Sequence, residues 1–237
     1  MKSSINSDSV SMPRLVITGS EGLIGRELAR HFAESFTILK LDLALGHDLT
    51  DEAFVSQWFA ENRDLYGMIV AHAFNPVPTP DAIKIEPTDV TLGEIRGYFE
   101  VNTVSAFNIC RHFIANNKGG TIVNISSLYS VQSPRHDIYQ NFVKPIGYSL
   151  SKAAVVAMGK YLATYYAPDF RINTVILGGV ADPKQDRTFV SNYSQNVPMK
   201  RLMRSDEVIS VFDFLLDHRS SYVTGSEVFV DGGWTSW

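Results

Sequence analysis

Tyr148 and Lys152 stand four residues apart in a segment with helical spacing, so their side chains leave the same helical face. An ammonium held near a phenol favours the phenolate and lowers a pKa of about 10. That makes tyrosine a usable acid and base near neutrality. Ser127 closes the apolar run 121–126, TIVNIS. Read as a strand, that run brings the serine hydroxyl to the carboxyl edge of a sheet, where α/β proteins bind ligands. There it can hydrogen-bond a substrate carbonyl oxygen. Asn102 lies in the helical stretch 92–116 and can hold a water for proton relay.

A second constellation sits near the start of the chain. The segment 18–25, TGSEGLIG, follows an apolar run and opens a helix. Its residues Gly19, Ser20, Glu21, Gly22, Leu23, Ile24 and Gly25 form a turn that allows close backbone approach. The helix behind them offers free N–H groups and the positive end of its dipole to a pyrophosphate. Asp42 ends the second strand, 23 residues after Gly19. A carboxylate there can accept hydrogen bonds from an adenosine ribose and repel a 2′-phosphate. No arginine follows it and Glu21 adds negative charge, so the pattern points to NAD rather than NADP. Asp48 and Leu49 either place a carboxylate near the adenine, or Asp48 caps the next helix.

These groups need a scaffold. The apolar runs 14–18, 37–42, 67–73, 121–126, 171–177 and 227–230 read as strands. Helical patterns fill the intervals at 22–33, 51–62, 92–116, 148–166 and 205–216, with Trp58, Phe59, Phe107 and Phe212 as core residues. Alternating strands and helices imply a parallel sheet covered on both faces, a doubly wound α/β architecture in three layers. Four prolines make 75–87 a loop, 128–147 is an irregular polar and aromatic insertion, and 182–197 reads as a mobile polar loop. No linker divides the chain, so one domain is expected over 13–237, behind a flexible polar tail at 1–12.

Composition removes other classes. Of 237 residues, 45% are hydrophobic and 19% charged, too apolar and too weakly charged for a disordered chain. A net charge of −4 advertises neither nucleic acid nor an anionic membrane as partner. Cys110 is the single cysteine, which excludes an intramolecular disulfide and a multi-cysteine zinc site. Polar residues break every apolar run before ~18 positions, and 1–12 lacks the apolar centre of a signal peptide. The expectation is a soluble cytoplasmic protein with a small-molecule substrate and no metal.

Taken together, the chain resembles the short-chain dehydrogenase/reductase family along nearly its whole length. TGSEGLIG is similar to the family's cofactor turn, VNISS ending at Ser127 to its serine strand, YSLSK from Tyr148 to Lys152 to its catalytic motif, and FEVNTVSAF around Asn102 to its helix asparagine. YVTGSEVFVDGGW resembles the family's terminal segment. The resemblance implies a Rossmann-like domain that binds a nicotinamide cofactor and carries the active site itself. It implies Tyr148 as acid/base, Lys152 on the nicotinamide ribose, Ser127 orienting substrate and Asn102 supporting the relay. It also implies cofactor contacts from Ala71, His72 and Ala73 on the adenosine side and from Gly178 and Val180 on the nicotinamide side.

The chain departs from the family at three places. Ala71-His72-Ala73-Phe74 replaces an Asn-Asn-Ala-Gly segment, so His72 is either a new ligand or acid/base, or a structural histidine that satisfies buried polar groups. Leu177-Gly178-Gly179 replaces a Pro-Gly. The helix that normally follows the second strand is nearly absent. The insertion 128–147 carries Tyr129, Arg135, His136, Asp137, Tyr139, Gln140, Asn141 and Lys144. Its polarity suits a hydroxylated substrate such as a sugar, and Arg135 or Lys144 can meet a phosphate. The region 135–152 and the terminal DGGWTSW look similar to members associated with flagellin modification and nonulosonic-acid or other surface-sugar synthesis. The expected activity is NAD(H)-dependent interconversion of a secondary alcohol and a ketone. The alternatives are a 3-oxoacyl-thioester reductase and a non-catalytic NAD-binding sensor or scaffold. A homodimer or homotetramer is expected through the helices at 92–116 and 148–166, whose apolar residues Phe99, Phe107, Val155 and Met158 exceed one buried stripe.

Overall fold

A computed structural model of the protein describes residues 11–236; residues 1–10 of the expected tail lie outside them. Six strands form one sheet: β1 (Arg14–Thr18), β2 (Thr37–Leu41), β3 (Gly67–Val70), β4 (Gly120–Ser127), β5 (Phe170–Leu177) and β6 (Glu227–Val230). All pairings are parallel, in the order β2-β1-β3-β4-β5-β6. The period-2 alternation of a strand splits β1 between two cores. Val16 joins Phe59, Ile109, Phe113, Leu162 and Ile172 on one face, beneath α2 (Glu52–Glu61), α4 (Ser105–Asn116) and α5 (Ile146–Tyr166). Leu15 and Ile17 join Leu28, Ile69, Val175, Phe212 and Leu215 on the other, beneath α1 (Leu23–Phe32) and α7 (Ile209–Leu216). The helices that connect successive strands thus cover both faces, as expected of a doubly wound sheet.

The order reverses between β1 and β3, which opens a crevice at the carboxyl ends of these strands. After β2 the chain makes only a 3₁₀ turn, Leu43–Leu45, before α2. Asp51 caps α2, accepting from the N–H groups of Ala53 and Phe54. Asp48 does not cap it: its Oδ1 accepts from Thr50 N at 2.9 Å and Thr50 Oγ1 at 2.7 Å in a local turn.

Two expected elements change form. The stretch 92–116 divides into α3 (Leu92–Phe99), a π-turn (Glu100–Val104) and α4, with buried Asn102 inside the π-turn. Such a turn re-aims side chains at a functional site. The polar loop at 182–197 is largely a helix, α6 (Arg187–Asn196), capped by Asp186. Asp186 is a strong N-cap, and Phe189 and Tyr193 are one helical turn apart and both buried, so the helix packs where a loop was expected. Phe107 is 45% exposed rather than core, while Val155 is buried.

Candidate active site

The cleft at the crevice holds about 300 Å³. One end is the turn after β1. Gly19 has φ +63°, and a Cβ there would stand 2.7 Å from the backbone of His72. At Gly25 a Cβ would collide with the Gly19 carbonyl. The turn can therefore close onto α1 and β3 only with glycine at both positions. No side chain caps α1, so N–H groups of its first turn remain available. Gly22, Leu23, Ile24 and Gly25 line the cleft. An uncapped helix start beneath a Cβ-free turn fits a pyrophosphate and hence a dinucleotide.

Asp42 is tied to this turn. Its Oδ2 accepts from Glu21 N and its Oδ1 from Ala44 N, both at 2.8 Å. The negative charge expected of Glu21 is offset, because Lys40 Nζ lies 3.0 Å and Arg26 Nε 3.4 Å from its carboxylate; these cations hold the Glu21 carboxyl below its usual range. Ser20 is fully buried, its hydroxyl without a partner among the described residues. Leu49 is a core residue and Asp48 is exposed; Ser20, Glu21, Asp42, Asp48 and Leu49 are not on the cleft wall.

At the other end, β4 and α5 bring Ser127, Tyr148 and Lys152 onto one wall, all three buried. Ser126 Oγ donates to the Lys152 carbonyl at 2.8 Å and fixes α5 against β4. The electrostatics differ from the sequence expectation. Burial pushes the Tyr148 phenol up to about 12, with the Ser127 hydroxyl pulling the other way. Lys152 Nζ donates to the Ile125 carbonyl at 2.9 Å, and burial brings its own pKa down to about 8. The four-residue spacing puts both groups on one face, and the hydrogen bond of the ammonium runs to the Ile125 carbonyl.

Asn102 also departs from expectation. Its Oδ1 accepts from Phe74 N at 2.7 Å, and its Nδ2 donates to Phe74 O at 3.1 Å and Ser151 Oγ at 3.0 Å. The side chain staples the segment after β3 to α5 and is not on the cleft wall. His72 resolves toward its structural alternative. Ser105 Oγ donates to Val101 O at 2.6 Å, so it accepts from His72 Nε2 at 2.8 Å. That leaves Nδ1 to accept from Thr18 Oγ1 at 2.8 Å. Burial, then the charge of Lys152, lowers the His72 pKa to about 3. Both ring nitrogens of this neutral imidazole are thus engaged with Thr18 and Ser105. Ala71, Ala73, Gly178 and Val180 do line the cleft.

The structure adds residues that the sequence reading did not assign to the site. Asn75, Phe189 and Tyr193 line the cleft with Tyr129, Tyr139 and Lys144. Tyr139 stacks on Phe189 at 5.2 Å between ring centres, and its hydroxyl meets that of Tyr129 at 2.7 Å. Tyr193 Oη accepts from Gly179 N at 2.7 Å, which holds α6 over the Gly178-Gly179 turn. Asp186 followed by apolar Phe189, Val190, Tyr193 and Val197 was the available sequence signal.

Comparison with known proteins gives three kinds of likeness. A family model described as enoyl-(acyl carrier protein) reductase matches residues 16–235. Among curated proteins, glucose 1-dehydrogenase of Gluconobacter oxydans is 27% identical over 94% of this chain and 91% of its own length. The post-translational flagellin modification protein A of Campylobacter coli is 30% identical over 52% of this chain and 48% of its own. Among solved structures, a short-chain dehydrogenase from Leptospira borgpetersenii with bound NAD⁺ superposes with a TM-score of 0.82. It is 25% identical and covers 99% of this chain and 97% of that one. Among the described residues, no helix is long and apolar enough to cross a membrane.

Proposed function

The chain belongs to the short-chain dehydrogenase/reductase family and is an NAD(P)-dependent oxidoreductase, and we propose that it interconverts a secondary alcohol and a ketone on a hydroxylated, sugar-type substrate. The observation that carries this reading is the convergence of Ser127, Tyr148 and Lys152 on the wall of one cleft whose far end is the uncapped start of α1. A nicotinamide cofactor, when bound, takes or gives the hydride. The first-turn N–H groups of α1 and the Gly19–Gly25 turn would hold its pyrophosphate. Ser127 and Tyr148 orient the substrate oxygen. Burial pushes the Tyr148 pKa up to about 12, so the phenol is protonated, the form that gives a proton to a ketone oxygen. Lys152 holds the nicotinamide end, and Asn102 acts indirectly by fixing α5. The tyrosine hydroxyls and aromatic faces of Tyr129, Tyr139 and Phe189 suit the polar edges and C–H faces of a polyol. The glucose 1-dehydrogenase likeness supports a sugar-type substrate. NAD⁺ reduction during a screen of aldoses, ketoses and polyols tests the reading; absence of turnover with every member would overturn it.

We further propose NAD(H) as the preferred cofactor, with Asp42 as the discriminating charge now that Glu21 is neutralised by Lys40 and Arg26. NADH is expected to bind more tightly than NADPH in fluorescence titrations at one ionic strength. Asp42→Asn removes the charge and keeps an acceptor for the turn, so it should narrow the gap. Tighter NADPH binding by the wild type would refute the assignment.

A homodimer or homotetramer is proposed on a corrected set of residues. Val155 is interior, but Leu92, Val104 and Phe107 on one side and Leu150, Tyr161 and Tyr165 on α5 are exposed. Exposed apolar residues so concentrated on neighbouring helices mark an association surface. Light scattering at micromolar protein should give a multiple of the 26.4 kDa chain mass; a monomer mass would refute it.

A further inference from the structure

We propose that the catalytic end of the cleft takes an anionic oxygen of the substrate, borne by a carboxylate or a phosphate, on the ammonium of Lys144; the inference rests on the oxidoreductase reading above. Lys144 lies in the insertion before α5, is 7% exposed and forms part of the cleft wall. Its Nζ donates to Asn75 Oδ1 at 2.5 Å and Pro76 O at 2.8 Å, and lies 4.1 Å from the ring centre of Tyr148. An ammonium has three N–H groups, and the two accounted for here reach neutral acceptors.

Burying a charge is costly unless a counter-charge compensates. No carboxylate does so here among the described residues. The groups that act on Lys144 are the burial itself and the second ammonium, Lys152, and together they bring its pKa to about 7. Tyr148 beside it is protonated, as are Tyr129 and Tyr139, both pushed up by burial. Among the described residues, Asp182 is the only acid on the wall, half-buried, with Oδ1 accepting from Lys184 N at 2.9 Å. Among the described residues, the catalytic end thus holds two buried lysines and no buried carboxylate. An anionic oxygen near Lys144 supplies the missing charge, beside the hydroxyl that handles the reacting oxygen.

Calorimetric titration of the enzyme–NADH complex at fixed ionic strength tests this, using gluconate, glucose 6-phosphate, acetate and inorganic phosphate against sorbitol and glucose. Charged ligands should bind at least about tenfold more tightly than neutral ones, as hydrogen bonds to charged groups allow. The carboxylate and phosphate arms tell which anion is taken. In Lys144→Gln that preference should fall about 10- to 100-fold, and Lys144→Arg should retain part of it. A wild type without preference, or a preference that survives Lys144→Gln, overturns the proposal. So does an equal loss for charged and neutral ligands, which would show Lys144 acting only through Tyr148. Parallel NAD⁺ turnover separates the two readings. Turnover of neutral sugars without anion preference defeats this inference alone. Anion preference without turnover on any sugar defeats the substrate reading and leaves the anion site standing.

Discussion

Tyr148→Phe is expected to lower the single-turnover rate of ketone reduction about 10²- to 10⁴-fold, the usual cost of losing a positioned acid, with NADH affinity nearly unchanged. The charge that hydride transfer leaves on oxygen must receive a proton, and Tyr148 is the buried hydroxyl beside Ser127 on the cleft wall. The substitution keeps the ring, its packing and the Lys144 contact at 4.1 Å, and removes only the hydroxyl. The phosphate-holding turn lies at the other end of the cleft. Near-normal turnover would move the acid role to another wall hydroxyl, with Tyr139 the first to examine.

Lys152→Met should reduce both turnover and NADH affinity, and should also remove part of the protein's pH-dependent stability. The affinity loss is expected at about tenfold or more if Lys152 contacts the cofactor, the usual scale for a hydrogen bond from a charged group. The stability effect follows from linkage. Burial depresses the folded-state pKa of Lys152 from 10.5 to about 8, so the unfolded chain binds more protons between those values. Stability is present in full above 10.5 and is lost as pH falls toward 8. The displacement corresponds to about 3 kcal/mol at ~1.4 kcal/mol per pH unit. Lys144 adds a similar effect from about 7 upward. Buried tyrosines act oppositely above pH ~10, because their folded pKa values exceed the unfolded one, so the comparison belongs between pH 7 and 9.5. The apo wild type should gain thermal stability across that window, and Lys152→Met should gain less. Identical pH profiles would show that Lys152 is not buried as a charge, and undiminished NADH binding would remove it from the cofactor site.

Much of this molecule was legible as sequence because its signals are local. Short apolar runs such as 14–18 and 121–126, separated by helical spacing, point to a parallel sheet covered on both faces. Gly19 and Gly25 mark a turn where side chains cannot fit, and Tyr148 and Lys152 must share a face of whatever helix carries them. Residue type and spacing determine these features, since they depend on backbone sterics and helical pitch. Direction and partnership do not follow from spacing. Lys152 turns to the Ile125 carbonyl, Asn102 spends its amide on Phe74 and Ser151, and Glu21 is neutralised by Lys40 and Arg26. The segment 182–197 read as polar loop because its composition is polar; Phe189 and Tyr193 become a helix wall only where a cleft is present to receive them. Lys144 carries its meaning only in the folded chain. Burial removes it from water, brings it over the Tyr148 ring and leaves its charge without a carboxylate, and desolvation is a property of the folded environment that one-dimensional spacing does not contain.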